Sequence, residues 1–144
     1  MWRDPRAARL ADWYARLSPT SLGEIEHLYA PQARFKDPFN DVEGVDAIRR
    51  IFEHMFDTLS EPRFAVTDAV CDEHACLLVW EFHFRRSSGR AMRIHGASHV
   101  TFDDQARVTK HRDYWDAAEE LYEKLPLIGG LMRMLRRRLA APPR

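Results

Sequence analysis

The chain has 144 residues, 22 basic and 22 acidic side chains, 45% hydrophobic residues and two cysteines. That is enough for one domain with a buried core, and zero formal net charge excludes the broad positive field with which nucleic-acid binders gather partners. The charged start "MWRDPRAARL" holds no apolar signal core and no stretch is long enough to span a bilayer, so a cytoplasmic protein is expected.

In chain order, Asp4 can cap a helix that has Pro5 at its first position, where the missing amide proton costs nothing. Leu10, Trp13, Tyr14 and Leu17 recur along it at helical spacing. A second short helix runs through Leu22, Ile25 and Leu28. "ARFKDPF" reads as a short strand ended by Asp37-Pro38, because a residue before proline is pushed out of the α region. After Gly44, the positions of Ile48, Ile51, Phe52, Met55, Phe56 and Leu59 predict an amphipathic helix. From residue 63 the period changes to two. "RFAVTDAVC", "CLLVWEFHFRR", "MRIHGASHVTF" and "RVTKHRDYW" predict four strands of an antiparallel meander, broken at "DEHA", "SSG" and "DDQA". Helices followed by strands predict an α+β fold.

Cys71 and Cys76 flank the first of these turns. In a reducing compartment they are expected as two small, half-buried thiols and not as a disulfide. With His74 they match no standard zinc spacing, so neither a metal nor an organic cofactor is expected. Asp116 and Glu119 have the capping-box spacing at the start of "AAEELYEKL". Leu127, Leu131, Leu135 and Leu139 then form a stripe at i, i+4 spacing, with Ile128 and Met132 beside it and Arg133, Arg136, Arg137 and Arg138 around it. The favoured reading is a terminal helix docked on the domain or on a second copy; an anionic membrane surface or a groove on another partner is the alternative such a helix admits.

The order of elements, with "YAPQARFKDPF", "VEGVDAIRRIF" and "RVTKHRDYWD", resembles the nuclear transport factor 2-like superfamily over residues 7 to 118. That group includes ketosteroid isomerases, SnoaL-type polyketide cyclases and limonene epoxide hydrolases. The resemblance implies a single domain, 1–144. It would be a cone-shaped α+β barrel of about 5–118, with N-terminal helices on a curved antiparallel sheet and a C-terminal helical extension over 117–140. It also implies a homodimer, and one cavity for a small hydrophobic molecule.

Residue by residue, similarity to the ketosteroid isomerases implies Asp37 as base and Tyr14 as hydrogen-bond donor, and it puts Ser98 where that group has its second donor. Similarity to the epoxide hydrolases selects Asp113 and places Glu81 at the second carboxylate. Val79 stands where that family has an arginine, with Arg85 as a substitute. SnoaL-type cyclases have an Asp near the end of the sheet with a His nearby, which Asp113 with His111 or His83 would match. Asp113 shares a strand face with His111 and Trp115. The expected activity is therefore metal-free acid/base chemistry on an apolar, oxygen-bearing substrate. Asp113, Asp37, Tyr14, Glu81 and His83 are the catalytic candidates, and Ser98, His111, Trp115 and Arg85 the substrate-binding ones. A non-catalytic binding module is the alternative. Which face of "LLVWEFHFRR" meets the cavity stays open, since a slip of one residue exchanges Glu81 and His83 for Trp80, Phe82 and Phe84.

Overall fold

The computed structural model describes residues 3–86, 88–120 and 126–140. Helix α1 is Pro5–Ala15, followed by a 3-10 turn at Ser21–Glu24 and the short α2, Ile25–Leu28. Strands β1 (Tyr29–Lys36) and β2 (Asp41–Glu43) precede α3, Val45–Thr58. Then come β3 (Ser60–Cys71), β4 (Ala75–Arg85), β5 (Ala91–Phe102) and β6 (Val108–Tyr114). Two helices, α4 (Ala117–Glu120) and α5 (Pro126–Leu139), end the chain. The expected continuation of α4 through "LYEKL", Ser87 of the "SSG" turn, the side chain of Leu127 and the end "APPR" lie outside the described residues.

All six strands form one unclosed sheet in the order β2-β1-β6-β5-β4-β3. The predicted meander is its larger part, β3 to β6, antiparallel throughout. The sheet is not wholly antiparallel, however. β1 pairs with β6 in parallel, and β2, unforeseen in the sequence, pairs antiparallel with β1. Helices α1 and α3 close over one face of this sheet, the face that carries the core.

Local chemistry sets each helix in place. Asp4 Oδ1 accepts the Arg6 amide at 2.9 Å and so caps α1. The Arg6 guanidinium returns to Asp4 at 2.7 Å and also reaches the carbonyls of Asp72 and Glu73, tying the start of α1 to the β3–β4 turn. The apolar stripe of α1 is buried at Leu10, Trp13 and Tyr14, and that of α3 at Ile48 and Phe52. Gly44 opens α3 at a φ of 100° and donates to the Ala33 carbonyl at 2.8 Å, a backbone conformation that favours glycine.

A bulge in β3 decides two further features. Val66 faces Trp80, but Asp68 faces Val79, so one extra residue is taken up at Thr67. Phe64 and Val66 turn to the core before the bulge, and Ala69 and Cys71 after it. The same shift sets Cys71 opposite Cys76, with Cα atoms 4.1 Å apart, and the two are joined as a disulfide. This corrects the expectation of free thiols, which rested on a reducing compartment and not on the strand register.

The C-terminal helix does not take the first of its two expected placements, on the domain itself. It meets α4, yet its apolar stripe is not docked on the domain: Ile128, Leu131 and Leu135 are 41–49% exposed and Leu139 is 85% exposed. No helix among the described residues is long and apolar enough to cross a membrane.

Asp116 Oδ1 accepts the Glu119 amide at 3.0 Å, which is the forward half of the expected capping box. Asp116→Ala should therefore lower unfolding free energy by about 1 kcal/mol in a denaturant titration. A variant as stable as the wild type would show that the cap contributes nothing to the folded chain.

Candidate active site

The inner phase of the central strands is apolar for most of its length. Leu78, Trp80, Phe82 and Phe84 of β4 point inward, as do Met92, Ile94, Ser98 and Val100 of β5. Leu78, Trp80, Phe82, Phe84, Ile94 and Ser98, with Phe35, Phe52 and Phe64, help to wall a cavity of about 860 Å³. Polar groups are few there. Tyr14, Ser98, His111 and Asp113 form one group in the wall, with Asp37, Asn40, Arg50, His54 and Arg86 elsewhere around it.

The first group is wired in series. Trp80 Nε1 donates to Ser98 Oγ at 2.8 Å, and Ser98 Oγ donates to Asp113 Oδ1 at 2.5 Å. His111 Nε2 lies 2.6 Å from the same Oδ1. On the far side of the ring, His111 Nδ1 lies 2.7 Å from the Tyr29 hydroxyl, which is 2.6 Å from the Tyr14 hydroxyl. Donor arithmetic orders the chain. An ionised carboxylate only accepts, so Nε2 carries the imidazole proton and a neutral ring accepts at Nδ1. Tyr29 then donates to His111, and Tyr14 donates to Tyr29. Every proton in the series is directed toward the imidazole or the carboxylate. Asp113 Oδ2 has no hydrogen-bond partner among the described residues, although the side chain lines the cavity.

Packing holds this series still. The imidazole stacks on the Tyr29 ring at 5.9 Å and lies 4.7 Å from the Phe35 ring, and His111 is 3% exposed. Burial, reinforced by the tyrosine pair and the nearby Asp113 charge, holds the Tyr14 hydroxyl well above the usual tyrosine range. Burial pushes Tyr29 up as well, with Asp113 adding to it and the hydrogen bond from Tyr14 opposing it. Gly96 makes room for the first link, since a Cβ there would lie 2.6 Å from the Trp80 ring and 3.0 Å from Trp115 Cβ.

The expected site residues divide into three sets. Tyr14, Ser98, His111, Asp113 and Trp115 come together around the cavity. Asp37 also lines it, but Oδ1 accepts from the Phe39 and Asn40 amides at 2.8 and 2.6 Å, and both carboxylate oxygens accept from Asn40 Nδ2. It builds a turn at the cavity. Glu81, His83 and Arg85 belong to the third set and are corrected: they occupy the outer phase of β4. Glu81 is 3.2 Å from His83 Nε2, and Arg85 donates to Glu61 at 2.9 Å. The even phase faces inward because its large apolar groups gain most from burial. Tyr29 went unnoticed. Alternation back from Phe35 and Ala33 meets the exposed Pro31 first, and the β1–β6 pairing is irregular between Tyr29 and Arg34, so periodicity does not mark Tyr29.

Two outcomes follow. The unfolded chain releases tyrosine protons near pH 10, while the folded chain retains those of Tyr14 and Tyr29. Stability is thus complete below about pH 10 and falls as the pH rises beyond it, by ~1.4 kcal/mol per pH unit for each tyrosine. Tyr29→Phe should reduce that alkaline slope in denaturant titrations, and an unchanged slope would contradict the assignment. Gly96→Ala should displace the Trp80 ring and cost about 1–3 kcal/mol, read as an altered near-ultraviolet dichroism with a lower melting temperature.

The SnoaL-like domain family matches residues 10–111. No functionally curated protein matches the sequence significantly. Among solved structures, the chain is similar to a nuclear transport factor 2-like protein of unknown function from Burkholderia pseudomallei K96243. The TM-score is 0.70 at 16% identity, over 81% of this chain and 95% of that one. A candidate SnoaL-like polyketide cyclase from Shewanella denitrificans OS-217 gives 0.67 at 17%, over 82% and 98%. Another from Jannaschia sp. CCS1 gives 0.68 at 15%, over 99% of both chains. These identities speak for the fold alone, whereas the family match spans most of the sequence: the chain belongs to the SnoaL-like domain family and has the nuclear transport factor 2-like fold.

Proposed function

We propose that the protein is a cofactor-independent acid/base enzyme acting on a small apolar molecule that carries a carbonyl or similar oxygen. The observation that supports this most is Asp113, whose Oδ1 is held by Ser98 and His111 while Oδ2 has no hydrogen-bond partner among the described residues, beside a mostly apolar cavity. A carboxylate fixed through one oxygen keeps the other in one place, and proximity of a base to its proton is the first requirement of such catalysis. In the proposed step a C–H bond next to the carbonyl breaks and its proton passes to Oδ2. The electron pair moves onto the substrate oxygen as an enolate, and the proton returns to another carbon or is given up when a new carbon–carbon bond forms. Isomerisation and aldol-type cyclisation share this opening step.

The tyrosines have a different role from the one the isomerase resemblance implies. While His111 is neutral, the proton of Tyr14 is committed to Tyr29 and its oxygen can only accept. Protonation of His111 at Nδ1 would reverse the series, so that Nδ1 donates to Tyr29, Tyr29 to Tyr14, and Tyr14 to an oxygen in the cavity. Asp113 is the base in this reading, and Tyr14 becomes an electrophile only with a charged imidazole behind it.

The test begins with thermal-shift screening of steroid-like, terpenoid and polyketide-like carbonyl compounds, then turnover of those that bind. Asp113→Asn should retain binding and lose 10²–10⁴-fold in kcat, a typical general-base contribution. Binding without turnover in the wild type, or turnover that survives in Asp113→Asn, would instead identify a ligand-binding module or a different base.

A further inference from the structure

The apolar stripe of α5 faces away from the domain. Ile128, Leu131, Leu135 and Leu139 fall on one side of the helix at i, i+3 and i+4 spacing, and all four are at least 41% exposed. The helix meets α4, and its Gly129 is buried. At 3.6 residues per turn, Arg136 and Arg138 flank the stripe on its two sides, with Arg133 and Arg137 further round. Arg136 lies 4.0 Å from Glu119, with both side chains more than half exposed.

Charge decides what covers the stripe. The helix holds four of the chain's 22 basic residues and none of its 22 acidic ones. An apolar stripe with cations on both flanks matches the boundary of an anionic bilayer, where the side chains enter the acyl region and the guanidinium groups meet phosphates. We infer that α5 is a peripheral docking element that lays this protein on an anionic membrane surface. The helix lies in the interface and does not cross it, being 14 residues long with four arginines.

Cosedimentation of the full chain with lipid vesicles tests this at low and at raised salt. The chain should pellet with phosphatidylcholine vesicles containing phosphatidylglycerol and stay in solution with phosphatidylcholine alone, and raised salt should weaken binding. Replacing Arg136, Arg137 and Arg138 together by Gln should reduce partitioning about 100-fold, taking roughly five-fold per basic residue at an anionic surface. The double substitution Leu131→Asp with Leu135→Asp should abolish it without changing far-ultraviolet dichroism, because both side chains are already exposed. Failure of the wild type to bind the anionic vesicles, or equal binding by either variant, would overturn the inference. So would light scattering showing a wild-type dimer that the double substitution dissociates, with no vesicle binding by either form.

Discussion

The site depends on one oxygen. Asp113 Oδ1 accepts from both Ser98 and His111, and these two bonds join β5 and β6 to the tyrosines of α1 and β1. A charge next to so many aromatic rings would be costly if it were unpaired. Two donors offset that cost, and the same donors stop the carboxylate from rotating. Each donor is in turn oriented by a group behind it, Trp80 behind Ser98 and Tyr29 behind His111. Removing any inner link would leave a buried polar group without its partner, at a cost of about 1–3 kcal/mol. The series therefore contributes to stability as well as to the geometry available for chemistry.

That arrangement requires three strands to keep phase. β4 and β5 pair even with even, so Trp80 lies opposite Gly96 and Leu78 opposite Ser98. β5 and β6 pair even with odd, so Ser98 lies opposite Asp113. A one-residue slip of β4 against β5 would turn Glu81 and His83 inward, and one between β5 and β6 would separate Asp113 from Ser98. The absence of a side chain at Gly96 lets the Trp80 indole lie across β5 and direct Nε1 at the next inward residue. Register and packing thus specify each other here, and neither could be changed alone.

How much of this was legible in the sequence follows from the range of each interaction. The helices and the four-strand meander were readable because periodicity is local. Asp113 was readable on one face with His111 and Trp115 for the same reason, and its selection also drew on the family resemblance. The faces of β4 were not readable, since large groups stand on both: Trp80, Phe82 and Phe84 on one side, Val79, Glu81, His83 and Arg85 on the other. Only the pairing with β5 resolves them. Tyr29 and His111 are 82 residues apart in sequence, and no local pattern announces a parallel pairing of β1 with β6. The disulfide was set aside on the assumption of a reducing compartment, and the bulge at Thr67 that brings Cys71 opposite Cys76 is not marked in "RFAVTDAVC".

An apolar cavity and an exposed apolar helix in one small chain pose a common physical problem. Burying carbon surface favours folding by about 25 cal/mol per Å², so leaving it accessible in two places gives up stability that a closed core and a polar tail would have kept. The cavity gives it up beside a carboxylate whose second oxygen has no hydrogen-bond partner among the described residues, and α5 gives it up beside arginines. In both places the uncovered surface is paired with a group able to recognise the opposite charge or a transferable proton. Compounds that fit such a cavity are themselves poorly soluble in water and concentrate in bilayers. A chain resting on an anionic surface would meet them where they partition, and the cavity would then have to compete with lipid and not with water. Selectivity under that competition cannot come from apolar contact alone, which lipid offers equally. It must come from the polar series at Asp113, which lipid does not provide.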